Sequence, residues 1–259
     1  MKHFLTLIII LSSTLFLSSC QSSKTEARPI RVGTSADYYP IIFKKDGQYQ
    51  GVEADLAEAL SIELGRPIEF VEMPFSSLIP ALNGRRIDII MAGMSITEER
   101  KKYVKFTDPY MEISQMMLIR TSEMGRFRKP GNGYYVNSGM KMGVIGDTTG
   151  EDLAKKYLKK EKVKAYANID DAVKALKTKQ IDCFIHDAPY IWSYTNTNEE
   201  RTLTGVYWDL SKEHLAWGVS LTNFALQKDL ETVLMKWKLN GFKSKIVQKW
   251  VPYRVNYAY

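Results

Sequence analysis

The sequence predicts an α/β protein folded as two lobes, and three observations predict it. From residue 30 onward, strand-like and helix-like segments alternate. The alternation lapses at 124–139, where Pro130, Gly131, Asn132 and Gly133 cluster, and then restarts as a second block. The last stretch turns back to one more strand at 217–221 and a helix at 224–238. Two blocks of βαβ type, each with its own face to bury, argue for two α/β layers.

Taken in order, Ile30-Arg31-Val32-Gly33 reads as a short strand ending in turn residues. Residues 51–64 read as a helix, because Val52, Leu56, Leu60 and Leu64 recur on one face with Glu53, Glu58 and Ser61 off it. Gly65 and then Pro67 stop that helix in the order expected of a C-terminus. A strand at 68–71, a short helix at 75–82 and a buried strand at 87–91 complete the first block. In the second block, strands at 142–145, 163–166 and 181–185 alternate with helices at 150–158 and 169–176. The irregular segment at 124–139 reads as a loop near the edge of the second lobe.

The N-terminus reads as export machinery rather than fold. Lys2 precedes an apolar run at 4–17 broken only by Ser and Thr, the layout of a secretory signal at 1–19. The run falls short of the roughly 20 apolar residues of a comfortable membrane span. It ends in Leu17-Ser18-Ser19-Cys20, which resembles a bacterial lipobox. The resemblance implies cleavage before Cys20 and a thioether-linked lipid on its sulfur, palmitate among the chains, with residues 20–28 as a lipidated tether. Only Cys183 then remains, which excludes a disulfide framework; its strand-like surroundings predict a buried, inert thiol.

The net charge of +7 becomes +6 once Lys2 leaves with the signal. The basic residues are scattered, and the small clusters at 126–129 and 155–164 are interleaved with acids or turn residues. A basic stripe with stacking aromatics is absent, which excludes nucleic-acid binding. Solubility, or attraction to an anionic membrane surface, accounts for the charge. Phosphate-binding loops, nucleophile elbows and metal-spaced His or Cys are also missing, so no cofactor or metal is expected and any energy coupling must lie in partners.

Three runs carry the strongest local pattern: Leu78-Ile79-Pro80-Ala81-Leu82-Asn83-Gly84, then 87–100 from Ile87-Asp88-Ile89 through Gly93-Met94-Ser95-Ile96-Thr97 to Arg100, then Phe106-Thr107-Asp108-Pro109-Tyr110. Together they resemble the family 3 extracellular solute-binding proteins, the polar amino-acid-binding proteins of bacterial ABC importers, from about residue 30 to 250. The resemblance implies a type II periplasmic-binding-protein-like fold with two βαβ lobes on a two-strand hinge. Lobe 1 is then 29–112 plus 215–259 and lobe 2 is 113–214, with crossings near 112–115 and 210–215. It also implies a monomer that captures a free amino acid by hinge closure and delivers it to a membrane permease driven by a separate ATPase, with no chemistry of its own.

An amino acid is a zwitterion, so a site that buries it must supply a fixed cation and a fixed anion, because an unpaired buried charge costs several kcal/mol. Arg is the planar, always-charged fork for a carboxylate. By resemblance Arg100, in the first turn of a helix capped by Thr97, grips the ligand α-carboxylate, while Gly93 offers backbone groups and Ser95 a hydroxyl. On residues alone, Arg100 reads as a solvated surface group. Thr148 and Thr149 stand at a second helix N-terminus, where Thr148 with Glu151 fits a capping box and free N–H groups attract an anion. The resemblance sets this turn against the same carboxylate, with Asp147 where many relatives have Gly.

Asp187 is implied to receive the ligand ammonium, although an Asp at a strand end is often just a cap. His186 before it is like the glutamine-binding members; a structural role is the alternative. Ser35, Tyr38 and Phe75 are implied to form the side-chain pocket, the two rings sandwiching the ligand or else packing in the core. Ser35 stands where binders of cationic amino acids carry Asp, which favours a polar neutral ligand such as glutamine, while Asp37 keeps a cationic one open. Tyr39 beside Pro40 is expected to narrow the entrance. Two rivals remain: a cyclohexadienyl or arogenate dehydratase-like enzyme on the same scaffold, for which no general-acid carboxylate is evident in the lining segments, and a ligand-sensing partner of a receptor.

Overall fold

The computed structural model describes residues 28–128, 136–197, 199–206 and 210–252. The signal at 1–19, Cys20 with the tether up to 27, and residues 129–135 of the expected loop lie outside the described residues. The first block runs β1 (Ile30–Thr34), a small sheet of β2 (Asp37–Tyr38), β3 (Ile42–Lys45) and β4 (Gln48–Gln50), then α1 (Val52–Leu64) and β5 (Ile68–Glu72). A three-ten turn at Phe75–Ser77 leads into α2 (Leu78–Asn83), β6 (Ile89–Ile90), α3 (Glu98–Lys101) and β7 (Lys105–Phe106). After β8 (Met111–Ile113), the second block holds β9 (Gln115–Arg120), β10 (Met142–Ile145), α4 (Thr149–Tyr157), β11 (Val163–Tyr166), α5 (Ile169–Lys177), β12 (Cys183–Asp187), α6 (Ala188–Thr197) and β13 (Leu203–Val206). The chain returns through β14 (Glu213–Leu215) to β15 (Gly218–Val219), α7 (Phe224–Leu239) and α8 (Phe242–Trp250).

The strands divide between two five-stranded sheets, ordered β5-β1-β6-β15-β7 and β11-β10-β12-β9-β13. Each has a parallel half built from βαβ units and an antiparallel half supplied by the crossing strands. Between the sheets, β8 and β14 pair antiparallel, with Met111 opposite Leu215 and Ile113 opposite Glu213. The protein is therefore a two-lobed α/β fold on a two-strand hinge. Lobe 1 is further clasped by α8, where Asp55 Oδ2 on α1 accepts from Lys249 Nζ at 2.6 Å and Trp250 Nε1 at 2.8 Å. In lobe 2, Arg120 is 6 % exposed and donates to the Leu176 and Ile181 carbonyls at 2.6 and 2.7 Å, so its charge is fully hydrogen-bonded rather than orphaned.

Several elements differ from their sequence expectation. Residues 121–127 are a three-ten helix rather than loop, because Phe127 packs fully buried in the lobe 2 core. β9 and β13 carry no predicted counterpart. β9 is buried along its whole length, which erases the alternation a half-buried strand shows. The strand at 87–91 contracts to Ile89–Ile90 and that at 181–185 shifts to Cys183–Asp187. Glu53, placed off the apolar face of α1, is instead fully buried. Cys183 is buried as expected, and burial pushes its thiol up to about 12, which keeps it un-ionised and inert.

Candidate functional site

A cavity of about 510 Å³ lies between the lobes, and both sheets contribute to it through the C-terminal ends of parallel strands. From lobe 1 come Ser35, Asp37 and Tyr38 after β1, Glu72 at the end of β5, Phe75, and Gly93 and Ser95 after β6. Lobe 2 contributes Thr148 and Thr149 after β10, and His186 and Asp187 at the end of β12. Arg100 completes the set, so all ten residues singled out in the sequence line this one cavity. Among the described residues no cluster of His, Cys, Asp or Glu is arranged to hold a metal.

Arg100 is placed by a short local motif. Thr97 caps α3, its hydroxyl accepting from the Arg100 N–H at 3.1 Å, and the guanidinium turns back to donate to the Ser95 carbonyl at 2.9 Å. A second donor reaches across the cleft to the Asp147 carbonyl of lobe 2 at 3.1 Å. Phe75 stacks over it with 5.2 Å between Cζ and the ring centroid. Burial lowers the Arg100 pKa, against the pull of Glu213 and Asp187, yet a guanidinium stays charged. It is held by carbonyls and has no carboxylate salt-bridge partner in the cavity.

Asp147 adopts φ +59°, the left-handed conformation that a Gly would take in its place. An Asp tolerates that region at modest cost, so the backbone reaches the cleft without Gly. The expected capping box is not formed. Glu151 accepts from the Asp147 N–H at 2.9 Å, and the Thr148 hydroxyl donates backward to the Ile145 carbonyl at 2.7 Å. With no side-chain cap at Thr148, the amino end of α4 keeps donors available to an anion.

Gly93 and Ser95 are engaged differently from the expectation. The Gly93 N–H already donates to Glu53 Oε2 at 2.9 Å, which leaves its carbonyl for a ligand. Gly93 has φ +65°, and a Cβ there would meet the Tyr38 ring at 2.6 Å, so the turn requires glycine. The Ser95 hydroxyl donates to Glu213 Oε2 at 2.7 Å, which leaves its oxygen only as an acceptor.

Asp187 lies at the other pole. Gln115 donates to it through Nε2, and the same amide reaches Thr149 Oγ1 at 3.3 Å. Burial pushes its carboxyl up to about 7, and Glu213 adds to the rise, while Tyr38, Gln115 and Arg100 oppose it. His186 uses Nδ1 to accept from the Asp187 N–H at 2.8 Å, so the neutral ring carries its proton on Nε2. Its ring packs against Tyr38, Phe184 and Tyr190, and burial lowers its pKa to about 3. It is a neutral ring in an aromatic wall, the structural alternative the sequence left open.

The cavity also contains groups that sequence reading did not assign. Gln115 lines it from β9, a strand without a sequence counterpart, and Glu72 supplies a carboxylate from the end of β5. Glu72 is a lining carboxylate that the expectation of no general acid left out, but Lys44 Nζ at 2.9 Å and Tyr49 OH at 3.3 Å already hold it. Asp37 lines the cavity as well, its pKa raised by burial. Tyr39 does not line it: its ring packs edge-on against Phe43, with 4.8 Å between centroids.

Residues 30–253 match the bacterial extracellular solute-binding proteins, family 3. The chain belongs to that family. A probable histidine-binding protein of Campylobacter jejuni is 33 % identical over 77 % of this chain and 79 % of its own. The arginine-binding extracellular protein ArtP of Bacillus subtilis is 29 % identical over 96 % of this chain and 98 % of its own. Among solved structures, an ancestral arginine-binding protein bound to glutamine superimposes with a TM-score of 0.76 at 34 % identity, covering 86 % of this chain and 97 % of that one. This family 3 protein is thus an exported solute-binding protein, not an enzyme.

Proposed function

We propose that the protein captures a free amino acid between its lobes and delivers it to an ABC permease powered by a separate ATPase. One observation carries the reading: Arg100 and Asp187, a guanidinium and a carboxylate, face the same 510 Å³ cavity from opposite lobes. That pair matches the two poles of a zwitterion. Arg100, with the amino end of α4, receives the α-carboxylate; Asp187, beside Gln115, receives the ammonium. The ring of Phe75 and that of Tyr38 flank the ligand, and Ser35, Thr148 and Thr149 supply hydroxyls. Because the ligand touches both lobes, it stabilises the closed state differentially.

For the side chain, Asp37 decides the weight. Once the zwitterion has paired Arg100 and Asp187, and Lys44 holds Glu72, Asp37 is the lining charge left to neutralise. That favours a cationic side chain such as arginine over the neutral one that Ser35 suggested. The relatives named for arginine and histidine agree. Glutamine is the second reading, supported by the donor on His186 and by the arginine-binding ancestor that also holds glutamine. Cys20 is the proposed lipid attachment, which tethers a monomer to the membrane face.

A thermal-shift screen of the twenty amino acids with ornithine and cystine tests this. Arginine or another cationic amino acid is expected to raise the melting temperature most. A ligand at a hundred times its Kd adds about 2.7 kcal/mol of stability. No shift with any amino acid would sink the capture reading, and a shift with glutamine alone would reverse the side-chain assignment.

A further inference from the structure

Glu213 sits on the returning hinge strand β14, behind the lining residue Ser95 rather than in the lining, and both of its oxygens are committed. Oε2 accepts from the Ser95 hydroxyl and Oε1 from the Ser211 hydroxyl, each at 2.7 Å. The Ser95 carbonyl holds Arg100, at 2.9 Å. The Ser211 oxygen in turn accepts from the Gln115 N–H at 3.1 Å, and the Gln115 amide holds Asp187 and Thr149. A continuous hydrogen-bonded chain therefore runs Arg100, Ser95, Glu213, Ser211, Gln115, Asp187. It starts at the cationic pole in lobe 1, passes through the hinge and ends at the anionic pole in lobe 2.

We propose that Glu213 is a positioning residue that couples the two poles of the site through the hinge, with Ser95 and Ser211 as its two contacts. Opening the lobes rotates Ser95 and Gln115 apart, and a carboxylate with one hydroxyl on each side resists that rotation. Every link in the chain joins two protein groups, so none of them needs a ligand contact, and together they favour the arrangement in which Arg100 and Asp187 face one another. A ligand then finds the poles pre-set, and less of its binding free energy is lost to closure. The functional consequence rests on the capture reading, but the bias itself does not.

The test compares the purified protein with Glu213→Gln, Ser95→Ala, Ser211→Ala and the double serine variant. Small-angle scattering of the ligand-free proteins reads lobe separation, and calorimetry with arginine and glutamine reads affinity. Glu213→Gln keeps the shape while replacing one acceptor oxygen by a donor, so the chain breaks on one side. It is expected to widen the ligand-free protein and weaken the better ligand roughly 10-fold, the effect of one charged hydrogen bond. The two serine substitutions are expected to be non-additive, because either one already interrupts the chain. Unchanged lobe separation in Glu213→Gln, or additive serine effects, overturns the proposal. Should Glu213→Gln fold poorly, Ser211→Ala alone decides, since it removes one half-buried hydroxyl. If neither amino acid binds the parent protein, the capture reading fails while the scattering arm still decides the hinge.

Discussion

Arg100 and Asp187 face one cavity with opposite charges, and the protein holds them by opposite means. Arg100 is fixed by two carbonyls, Ser95 and Asp147, one in each lobe, and has no carboxylate salt-bridge partner among the described residues. Its charge is permanent, and protein groups alone set its orientation. Asp187 is held by a neutral amide, Gln115, and burial raises its pKa to about 7. The cationic pole therefore carries a permanent charge, and the anionic pole one that titrates near neutral pH.

The largest effect should come from removing the anionic pole. Asp187→Ala leaves the ligand ammonium buried without a counter-charge, a loss of about 3–5 kcal/mol. Calorimetry should find binding reduced at least about 100-fold, and a loss smaller than that of Arg100→Ala would invert the comparison. Arg100→Ala should cost about 1.5–3 kcal/mol, roughly 10- to 150-fold, because the amino end of α4 still faces the α-carboxylate. Unchanged affinity would remove Arg100 from the site.

A third prediction separates the poles by pH. An ammonium needs an ionised Asp187, so affinity should fall as pH drops below about 7 and level off above it, while the Arg100 pole stays constant. Binding at pH 7 should release protons, read as a dependence of the calorimetric heat on the ionisation enthalpy of the buffer. A flat pH profile from 5 to 8 would show that Asp187 is already ionised in the empty site.

The smallest effect concerns Glu53, buried behind Gly93 with burial raising its pKa to about 8. An acid whose folded pKa lies above its unfolded value makes folding favour the protonated form. The ligand-free protein should therefore lose stability as pH rises from about 4 through 8. Glu53→Gln keeps an acceptor for the Gly93 N–H and cannot ionise. It should melt with the parent at pH 5 and a few degrees above it at pH 9. A lower melting temperature at pH 9 would mean that the ionised carboxylate is the form the fold requires.

The residues of the cavity were legible through the family resemblance more than through local chemistry. A Thr97 cap before Arg100 and a strand end at Asp187 fix where the two side chains start, but locally they read as a surface arginine and a helix cap. Gln115 and Glu72 were not legible, since they come from strands whose place in the cavity depends on sheet order. Glu53 was misplaced because helical spacing says which residues share a face, not how wide the buried stripe is. In α1 the stripe widens where the β6 turn packs down on it, through the Gly93 N–H. The capping box at Thr148 is not formed for a related reason: its hydroxyl turns back to donate to the Ile145 carbonyl, and its oxygen accepts no N–H from the first turn of α4.

By itself, the sequence determined the order of strands and helices, the two α/β blocks and the polar groups at strand ends, because period, turn residues and caps act over a few residues. Tertiary structure alone decided that Arg100 bridges to Asp147, that Gln115 supports Asp187 and that Glu213 joins them through the hinge. The Arg100–Asp147, Gln115–Asp187 and Ser95–Glu213 contacts span 47, 72 and 118 residues of chain. Such pairings exist only once two sheets have closed on each other, and no local pattern carries their distances.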